Sequence, residues 1–384
     1  MILDIPDEFI DWRAKGFWLP DGRVSAREFA AAGHSLFDGS FTWPLLVVRD
    51  SAVRANIATM AAYAQRHGFS FAPHAKTSMA PTLLEAQLQA GAWAQTVATA
   101  SQALVLRRLG VPRIVIANEV LDATALSWLA GQDDVLLQVD SVAGVEAVAR
   151  AGGLAVLIEI GHAGGRTGCR TVEEVKVVAR AAAGAPGVRL LGVTAYEGGL
   201  QTAEAVDDFL QTQIAAVREI AHLLPEEVIV SGGGSAWFDR VVKAIEGQWL
   251  PGHTVRAVLR SGASITHDEG FYRQRTPFNR VAAEGSLTAA LQIYAQVLSI
   301  PEPGLAIVGM GKRDAPFDEG LPVTPGGEVV KLNDHHTYVR STTLAVGDLV
   351  RFGLSHPCTA FDKWRFIPVA DDNDVVVDVL HTYF

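Results

Sequence analysis

The segment Phe71-Ala72-Pro73-His74-Ala75-Lys76-Thr77-Ser78 decides how the rest of the chain is interpreted. It closes a short run, residues 69–72, that predicts a β-strand, and it precedes a helical pattern that opens near Pro81. Lys76 would therefore lie where a strand ends and a helix begins, which is where α/β proteins usually carry their catalytic and binding residues. A lone lysine is most often a solvated surface residue. Pro73 and the apolar strand before it favour a partly desolvated Lys76 amine of lowered pKa, and such an amine can form a Schiff base.

Strands and helices alternate on both sides of this segment. The predicted strands are apolar at successive positions, which is typical of strands covered on both faces. This alternation predicts a (β/α)8 TIM-type barrel over residues 44–275, with an open doubly wound sheet as the alternative. The barrel is favoured because no dinucleotide fingerprint follows the first strand. The predicted strands cover residues 45–50, 69–72, 95–99, 113–119, 135–140, 154–160, 190–196 and 228–230.

The two ends of the chain follow other patterns. Residues 1–43 carry scattered aromatic side chains without a clear period, and we predict an N-terminal arm that packs on a larger body. After about residue 275, short strands alternate with proline and glycine turns. Residues 276–384 are therefore predicted to form a C-terminal β-domain.

Composition indicates a globular protein without nucleic-acid or membrane partners. The chain has 384 residues, and 49% of them are apolar, which is ample for a large core. A net charge of −10 argues against a nucleic-acid surface. The two cysteines, Cys169 and Cys358, are far apart in sequence and fit a reducing compartment. Because no apolar run reaches membrane-spanning length and the acidic start is unlike a signal peptide, we expect a cytoplasmic protein.

A glycine run, Ser231-Gly232-Gly233-Gly234-Ser235, follows a predicted strand and precedes a helical stretch. Its N–H groups could converge on an anion, with the helix N-terminus behind them. A tight turn without a ligand is the plainer alternative. The run lacks the Gly-Lys-Ser/Thr ending of a nucleotide P-loop, so a phosphate carried by a cofactor suits it better. The later segment 260–264, with Gly262 and Ala263, could supply a second set of donors.

Two further strand ends carry candidate cofactor contacts. Arg166 lies among glycines, and its planar donor fork could bind a carboxylate or a cofactor. A salt bridge to an acid such as Glu159 is the alternative for Arg166. Tyr196 ends another strand and could present its hydroxyl at the same edge, although a core tyrosine is the plainer interpretation.

The segment His356-Pro357-Cys358 is a candidate metal site. In an extended chain, residues two apart face the same side, so the imidazole and the thiolate could converge on one ion. These two ligand types suit Zn²⁺, and the remaining ligands would be water or substrate, as in an open catalytic site. Two buried residues without a chemical role are the alternative. His335 and His336, beside Asp334, are further candidate ligands or bases.

Together, the Pro73-His74-Ala75-Lys76-Thr77 segment, the glycine run and His356-Pro357-Cys358-Thr359 resemble the D-serine dehydratase and D-threonine aldolase family. These are pyridoxal-phosphate (PLP) enzymes of the alanine-racemase-like fold, and the likeness spans roughly residues 40–384. The resemblance implies a PLP-binding barrel, a C-terminal β-domain with a divalent metal (zinc, or else manganese or magnesium) and a homodimer. By match, it implies the Schiff-base role for Lys76, phosphate contacts at Gly233, Gly234 and Ser235, metal contacts at His356 and Cys358, and, more loosely, ring contacts at Arg166 and Tyr196.

The resemblance also implies a reaction class. Aldolases of the family tend to pair the metal-binding histidine with Asp, and the zinc-dependent dehydratases tend to use Cys, so Cys358 favours dehydration of a D-3-hydroxy amino acid to a 2-oxo acid and ammonia. An aldolase that yields glycine and an aldehyde is the alternative. A racemase would need a second acid/base such as Tyr294, Tyr338 or Tyr272, and a non-catalytic PLP-binding protein would leave the metal pair unused. The long N-terminal arm and the segment 261–265 depart from the family pattern.

Overall fold

The structure is a computed structural model that describes residues 2–384. Its strands are, in chain order, β1 (Phe9–Asp11), β2 (Arg23–Ser25), β3 (Leu45–Arg49), β4 (Ser70–Phe71), β5 (Gln95–Val97), β6 (Ile114–Ile116), β7 (Val135–Val139), β8 (Ala155–Ile160), β9 (Arg189–Ala195), β10 (Glu227–Gly232), β11 (Thr254–Leu259), β12 (Leu291–Glu302), β13 (Leu305–Val308), β14 (Glu328–Leu332), β15 (Thr337–Arg340), β16 (Leu349–Gly353), β17 (Phe366–Ala370) and β18 (Val376–His381). Its α-helices are α1 (Ala26–Ala31), α2 (Asp50–Arg66), α3 (Pro81–Gln89), α4 (Ala100–Arg108), α5 (Ala123–Ala130), α6 (Val142–Arg150), α7 (Val172–Gly184), α8 (Ala203–Glu219), α9 (Phe238–Ile245) and α10 (Phe271–Arg275).

The first compact unit contains residues 2–4, 61–76 and 87–262. It holds an eight-stranded sheet in the order β4-β11-β10-β9-β8-β7-β6-β5, in which every adjacent pair is parallel. All residues of β7 and β8 are buried, as expected for strands that are apolar on both faces. The predicted alternation of helices with a parallel sheet is therefore confirmed.

Polar residues begin the helices that follow five of these strands. Each such residue accepts a hydrogen bond from a backbone N–H in the first turn, which would otherwise lack a partner. The loops at the carboxyl ends of the strands therefore end at defined residues, and this helps to keep the side chains on those loops in place. The capping residues of α4 to α8 are Thr99, Asp122, Ser141, Thr171 and Thr202.

The strand predicted at residues 45–50 does not belong to this sheet, and assigning it to the barrel was wrong. In the structure β3 pairs with β12 and β17 in the second unit. The eighth parallel strand is β11, which pairs with β10 and β4. A continuous apolar strand has the same sequence pattern in either sheet, because partners hundreds of residues away decide which sheet it joins.

The second compact unit contains residues 5–60, 77–86 and 263–384. Its main sheet runs β14-β15-β13-β12-β3-β17-β18, with β16 paired to β12. The β3–β17 pair is parallel, and the other pairs are antiparallel. A separate β-rich part of the chain is therefore confirmed. Within residues 2–384, no helix combines the length and the apolar character needed to cross a lipid bilayer.

Aromatic residues of the predicted N-terminal arm pack inside the second unit. The ring centroid of Phe17 lies 5.1 Å from that of Phe29 and 5.2 Å from that of Phe41. Phe366 of β17 joins them at 6.4 Å from Phe17. These rings are buried, so this segment extends the core of the second unit.

Candidate active site

A cavity of about 300 Å³ lies in the first unit, at the carboxyl ends of the parallel strands. Loops after parallel strands meet at this edge, which is where α/β folds bind their ligands. The cavity brings together several residues that the sequence suggested independently. It is lined by His74, Lys76, Ala98, Ala117, Asn118, Gln138, Glu159, Arg166, Thr167, Tyr196, Gly232, Gly233, Gly234 and Arg260.

Lys76 follows β4 in a short 3-10 turn, Ala75–Thr77, and is half-buried at the cavity. The chain before it is held by Thr96 of β5, whose hydroxyl donates to the carbonyl of Ala72 at 2.6 Å. The backbone N–H of Thr96 also donates to the carbonyl of Pro73, at 2.9 Å. These bonds connect the segment that carries Lys76 to a neighbouring strand, so the amine is presented from an ordered backbone.

His74 is a neutral neighbour of Lys76. Burial lowers the pKa of His74 well below its ordinary value of 6.5, and the positive charges of Lys76 and Arg260 lower it further. Its Nδ1 atom is buried and has no hydrogen-bond partner among residues 2–384. A neutral ring with an unpartnered nitrogen at the cavity is available to a bound ligand.

The glycine run forms the loop after β10. Gly233 has φ +88°, and an added Cβ would lie 2.5 Å from Cδ2 of Leu259, so glycine is required there. The run does bind an anion, but that anion is a side chain. The N–H of Gly233 donates to Oε2 of Glu197 at 3.3 Å, and the N–H of Gly234 donates to Oε1 at 2.5 Å.

Two other amides near this loop carry no hydrogen bond. The backbone N–H groups of Ser235 and Gly262 have no acceptor within residues 2–384. At Gly262, an added Cβ would lie 2.6 Å from Cβ of His74, so only glycine fits beside that residue. Ser235 and Gly262 were both predicted cofactor contacts. Ala263, predicted with them, begins the third segment of the second unit and is buried.

Glu197 is fully buried beneath the glycine run. Burial raises the pKa of its carboxyl, while the amides of Gly234 and Gly233 and the charge of Arg260 act in the opposite direction. Hydrogen bonds from backbone amides favour the ionised form of a carboxylate. Glu197 is therefore a buried acceptor that ties the end of β9 to the loop after β10.

Two arginines line the cavity. Arg260 is buried and donates from Nε to the hydroxyl of Ser231 at 2.8 Å and from Nη2 to the carbonyl of Ala195 at 2.8 Å. The guanidinium carbon of Arg166 lies 4.3 Å from the ring centroid of Tyr196, as in a cation–π contact. The predicted alternative, an ion pair between Arg166 and Glu159, does not occur within residues 2–384.

Glu159, which lines the cavity, forms an acid pair with Glu119. Both carboxyl oxygens of Glu119, and Oε2 of Glu159, are buried without a donor from residues 2–384. Two carboxylates can only accept, so a hydrogen bond between them requires a shared proton. Burial, together with the hydrogen bond and the charge of Glu159 and the charge of Asp140, raises the pKa of Glu119 from 4.5 to about 8. Burial and the neighbouring carboxylates therefore favour the protonated form of Glu119.

Replacing Glu119 with Gln should make stability less dependent on pH. The folded chain keeps a proton on Glu119 that the unfolded chain releases above pH 4.5, so this stabilising contribution is lost as the pH rises through 8. The whole shift corresponds to roughly 5 kcal/mol, which the partial exposure of Glu119 reduces to about 2 kcal/mol. Glu119→Gln should match the wild type near pH 5 and exceed it by about 2 kcal/mol at pH 9 in chemical unfolding. Glu204→Gln, at an exposed helix position, should show no such trend. Equal stabilities of Glu119→Gln and the wild type at pH 9 would contradict the raised pKa of Glu119.

The predicted metal residues lie in the second unit. Nδ1 of His356 forms a hydrogen bond with Oδ2 of Asp318 at 2.9 Å, and the hydroxyl of Thr359 donates to Oδ1 of Asp318 at 3.3 Å. Burial lowers the pKa of His356, but hydrogen bonds and charges from Cys358 and Asp318 outweigh it and raise the pKa from 6.5 to about 9. Within residues 2–384, no three His, Cys, Asp or Glu side chains cluster as a metal site would require. Metal binding by His356 and Cys358 stays a prediction.

The other residues suggested from the sequence lie in the second unit. His335 and His336 are exposed and line a groove together with Phe41 and Trp43. Among the tyrosines suggested for a racemase, the Tyr294 hydroxyl accepts from Arg49 at 2.5 Å, and the Tyr338 hydroxyl accepts from Asn333 at 3.2 Å. The ring centroid of Tyr272 lies 5.6 Å from that of His356.

Four acidic residues of these sites were not identified as site residues from the sequence. Glu119, Glu159 and Glu197 each lie at or just beyond the carboxyl end of a parallel strand. A charge at the end of an otherwise apolar strand was the available signal, because such a position is both buried and close to the binding edge. Asp318 lies in a turn 38 residues before His356, and no local pattern relates the two.

The cavity fits a phosphorylated aldehyde cofactor. An amine and two guanidinium groups face it, which suits an anionic ligand, and two unengaged amides lie at or beside the glycine loop. His74 Nδ1 and Glu159 Oε2 are buried polar atoms that still lack partners. In the second unit, an imidazole and a thiol two residues apart are a donor set that suits zinc.

Comparison with known proteins assigns the family. The family model "Alanine racemase, N-terminal domain" matches residues 48–250, more than half of the chain, and "Putative serine dehydratase domain" matches residues 290–370. The chain is 27% identical over 335 residues to a 3-hydroxy-D-aspartate aldolase of Paracoccus denitrificans, which covers 82% of this chain and 84% of that protein. It is 29% identical over 360 residues to a D-threonine aldolase of Arthrobacter sp, at 88% and 90% coverage.

A solved structure has the same fold. The crystal structure of D-threonine aldolase from Filomicrobium marinum aligns with a TM-score of 0.78 at 24% identity, over 89% of this chain and 95% of that one. The mixed α/β architecture, with a parallel eight-stranded sheet and a separate β-rich part, is that of the alanine-racemase-like fold. The chain therefore belongs to the D-serine dehydratase and D-threonine aldolase family, the PLP-dependent lyases of the alanine-racemase-like fold.

Proposed function

We propose that this chain is a PLP-dependent lyase that acts on D-3-hydroxy amino acids. One observation carries the proposal: Lys76, Arg166, Tyr196 and the glycine run line a single cavity in the first unit. These residues are far apart in sequence, and each was suggested from its own local pattern. Relatives along most of the chain are aldolases of D-3-hydroxy amino acids, which supports the same substrate class here.

The residues of the cavity have distinct roles in this proposal. Lys76 would hold the cofactor and, in a dehydration, would act as the base that takes the proton from Cα of the substrate. The backbone N–H groups of Ser235 and Gly262, which have no acceptor within residues 2–384, would hold the phosphate. Arg166, held over the ring of Tyr196, orients an anionic group of the cofactor or substrate. When bound, PLP supplies an electron sink for the negative charge that develops at Cα.

The metal residues act on the substrate's β-hydroxyl in this proposal. His356 and Cys358 would bind the ion, and a bound zinc supplies a Lewis acid that stabilises negative charge on that oxygen. Asp318 holds Nδ1 of His356, which leaves Nε2 as the ring nitrogen for a ligand bond. The residues themselves fit this role because the imidazole is already oriented by a carboxylate.

Two reactions compete within this proposal. Dehydration to a 2-oxo acid and ammonia is favoured by Cys358, which lies within the stretch matched by the serine dehydratase domain. Aldol cleavage to glycine and an aldehyde is favoured by the two aldolase relatives. Both reactions would need Lys76 to hold the cofactor and an ion to bind the β-oxygen. Dehydration removes the proton of Cα, whereas aldol cleavage removes the proton of the β-hydroxyl. They differ in whether the C–O or the Cα–Cβ bond breaks.

Product analysis separates the two reactions. Purified protein with PLP and zinc should convert D-serine or a D-3-hydroxyaspartate into a 2-oxo acid and ammonia in equal amounts. Ammonia is measured enzymatically, the 2-oxo acid as its hydrazone, and glycine by chromatography. Equimolar glycine and aldehyde would reject dehydration and establish the aldolase. The L-enantiomers are the control and should not react.

We further infer that the parallel sheet closes into a barrel. A parallel bridge between His74 and Thr96 relates the chain after β4 to β5, the two outer strands of the sheet. The backbone bond from Thr96 to Pro73 supports the same closure. The homodimer, the identity of the metal and the cytoplasmic location stay predictions.

A further inference from the structure

Glu197 occupies donors that the sequence assigned to the cofactor's phosphate. Its carboxylate accepts from the amides of Gly233 and Gly234, at 3.3 and 2.5 Å. It is fully buried and therefore does not exchange its amide partners for water. A phosphate that approached the same two amides would have to displace a buried carboxylate, which is an unfavourable exchange.

The glycine loop also forms a hydrogen bond with the second donor segment, residues 260–264. Ser261 donates from its hydroxyl to the carbonyl of Gly233 at 2.8 Å. Glu197 therefore accepts from the N–H of Gly233, and Ser261 donates to the carbonyl of the same residue. Two nearby backbone N–H groups lack acceptors within residues 2–384. They belong to Ser235, the last residue of the run, and to Gly262, which follows Ser261.

From these contacts we propose that Glu197 is a positioning residue for the cofactor phosphate. It holds the glycine loop in the shape that keeps the amides of Ser235 and Gly262 available to the phosphate, and it does not touch the cofactor itself. This inference rests on the proposed PLP-dependent function. The charge of Arg260, which lies close enough to act on Glu197, offsets the carboxylate so that two anions can be held near one another.

Glu197→Gln tests the role of the carboxylate while keeping its size. A glutamine has one acceptor oxygen, and its NH₂ group faces a second N–H donor, so one loop amide loses its partner. We expect the dissociation constant for PLP to rise by about 10-fold to 100-fold, the range for losing a hydrogen bond to a charged group. Affinity for pyridoxal, which lacks the phosphate, should change less than about twofold. Both are measured by absorbance titration of cofactor-free protein.

The pyridoxal comparison separates positioning from general damage. A purely structural role for Glu197 would weaken PLP and pyridoxal alike. Glu204→Gln, an exposed residue near the start of α8, is the matched control and should leave both affinities unchanged. If Glu197→Gln fails to fold, Ser261→Ala removes the bond to the Gly233 carbonyl and should lower the preference for PLP over pyridoxal by about threefold to tenfold.

The experiment distinguishes failure of the positioning role of Glu197 from failure of the proposed PLP-dependent function. Wild-type protein that binds neither PLP nor pyridoxal would reject the PLP-dependent function itself. Wild-type protein that prefers PLP, with an unchanged preference in Glu197→Gln, would reject the positioning role. Tighter binding of PLP by Glu197→Gln would show that the carboxylate competes with the phosphate, and would also overturn the proposal.

Discussion

Lys76→Ala is expected to abolish both the visible absorption of the PLP-loaded protein and its turnover. The amine is the proposed covalent attachment point and the proposed base, and no other lysine lines the cavity within residues 2–384. Loss of a residue with both roles should lower kcat by at least about a thousandfold. The absorption spectrum of protein incubated with PLP and then dialysed gives the first readout. Turnover of D-serine and of a D-3-hydroxyaspartate gives the second.

Two further variants make the Lys76 experiment specific. Lys76→Arg keeps the positive charge but lacks a nucleophilic amine, so it should lose the absorption band as completely as the alanine variant. Lys243→Ala removes an exposed lysine of α9 and should retain both band and activity. A persistent visible band in Lys76→Ala would mean that another amine holds the cofactor, and the proposed site would then be wrong.

His356→Ala is expected to lose bound zinc while it keeps the PLP absorption band. Structural zinc sites of four ligands are worth about 10 to 16 kcal/mol, so one ligand contributes about 3 kcal/mol, or roughly a hundredfold in affinity. Activity should fall by a similar factor or more, because the proposed Lewis acid would be lost. Metal content after dialysis against a zinc buffer is measured by elemental analysis.

A matched histidine and a metal series complete the zinc experiment. His335→Ala removes an exposed histidine of the groove that also contains His336, and it should retain zinc. After chelation, zinc should restore activity better than manganese or magnesium if the reaction is dehydration. Full zinc binding by His356→Ala would contradict the metal assignment, and a preference for manganese would favour the aldolase.

Local sequence patterns predicted much of the first unit. The predicted strands before Lys76 and before the glycine run are present in the structure, because each depends on a few neighbouring residues. The order of strands in a parallel sheet follows from repeated strand–helix units. β3 was misassigned because its four apolar residues, 45–48, carry no information about whether β12 or a barrel strand is its partner.

The sequence predicted individual residues of the candidate site but not the hydrogen bonds between them. Lys76, Arg166, Tyr196 and the glycines were each named from the ends of strands, and the cavity brings them together. The hydrogen bonds from the glycine amides to Glu197, and the bond from Asp318 to His356, were not predicted. Residues 36 to 38 positions apart form these pairs, and no periodic pattern relates them.

The sequence by itself determined the alternation of elements, the amine at a strand end, the glycine-rich loop and the family. These properties come from short-range periodicity and from residue types that only one backbone geometry tolerates, such as glycine at φ +88°. Tertiary structure decided which carboxyl groups lie together, which amides remain unengaged and which sheet β3 joins. Burial and hydrogen-bond competition depend on every group that surrounds an atom, and those groups come from segments that only folding brings together.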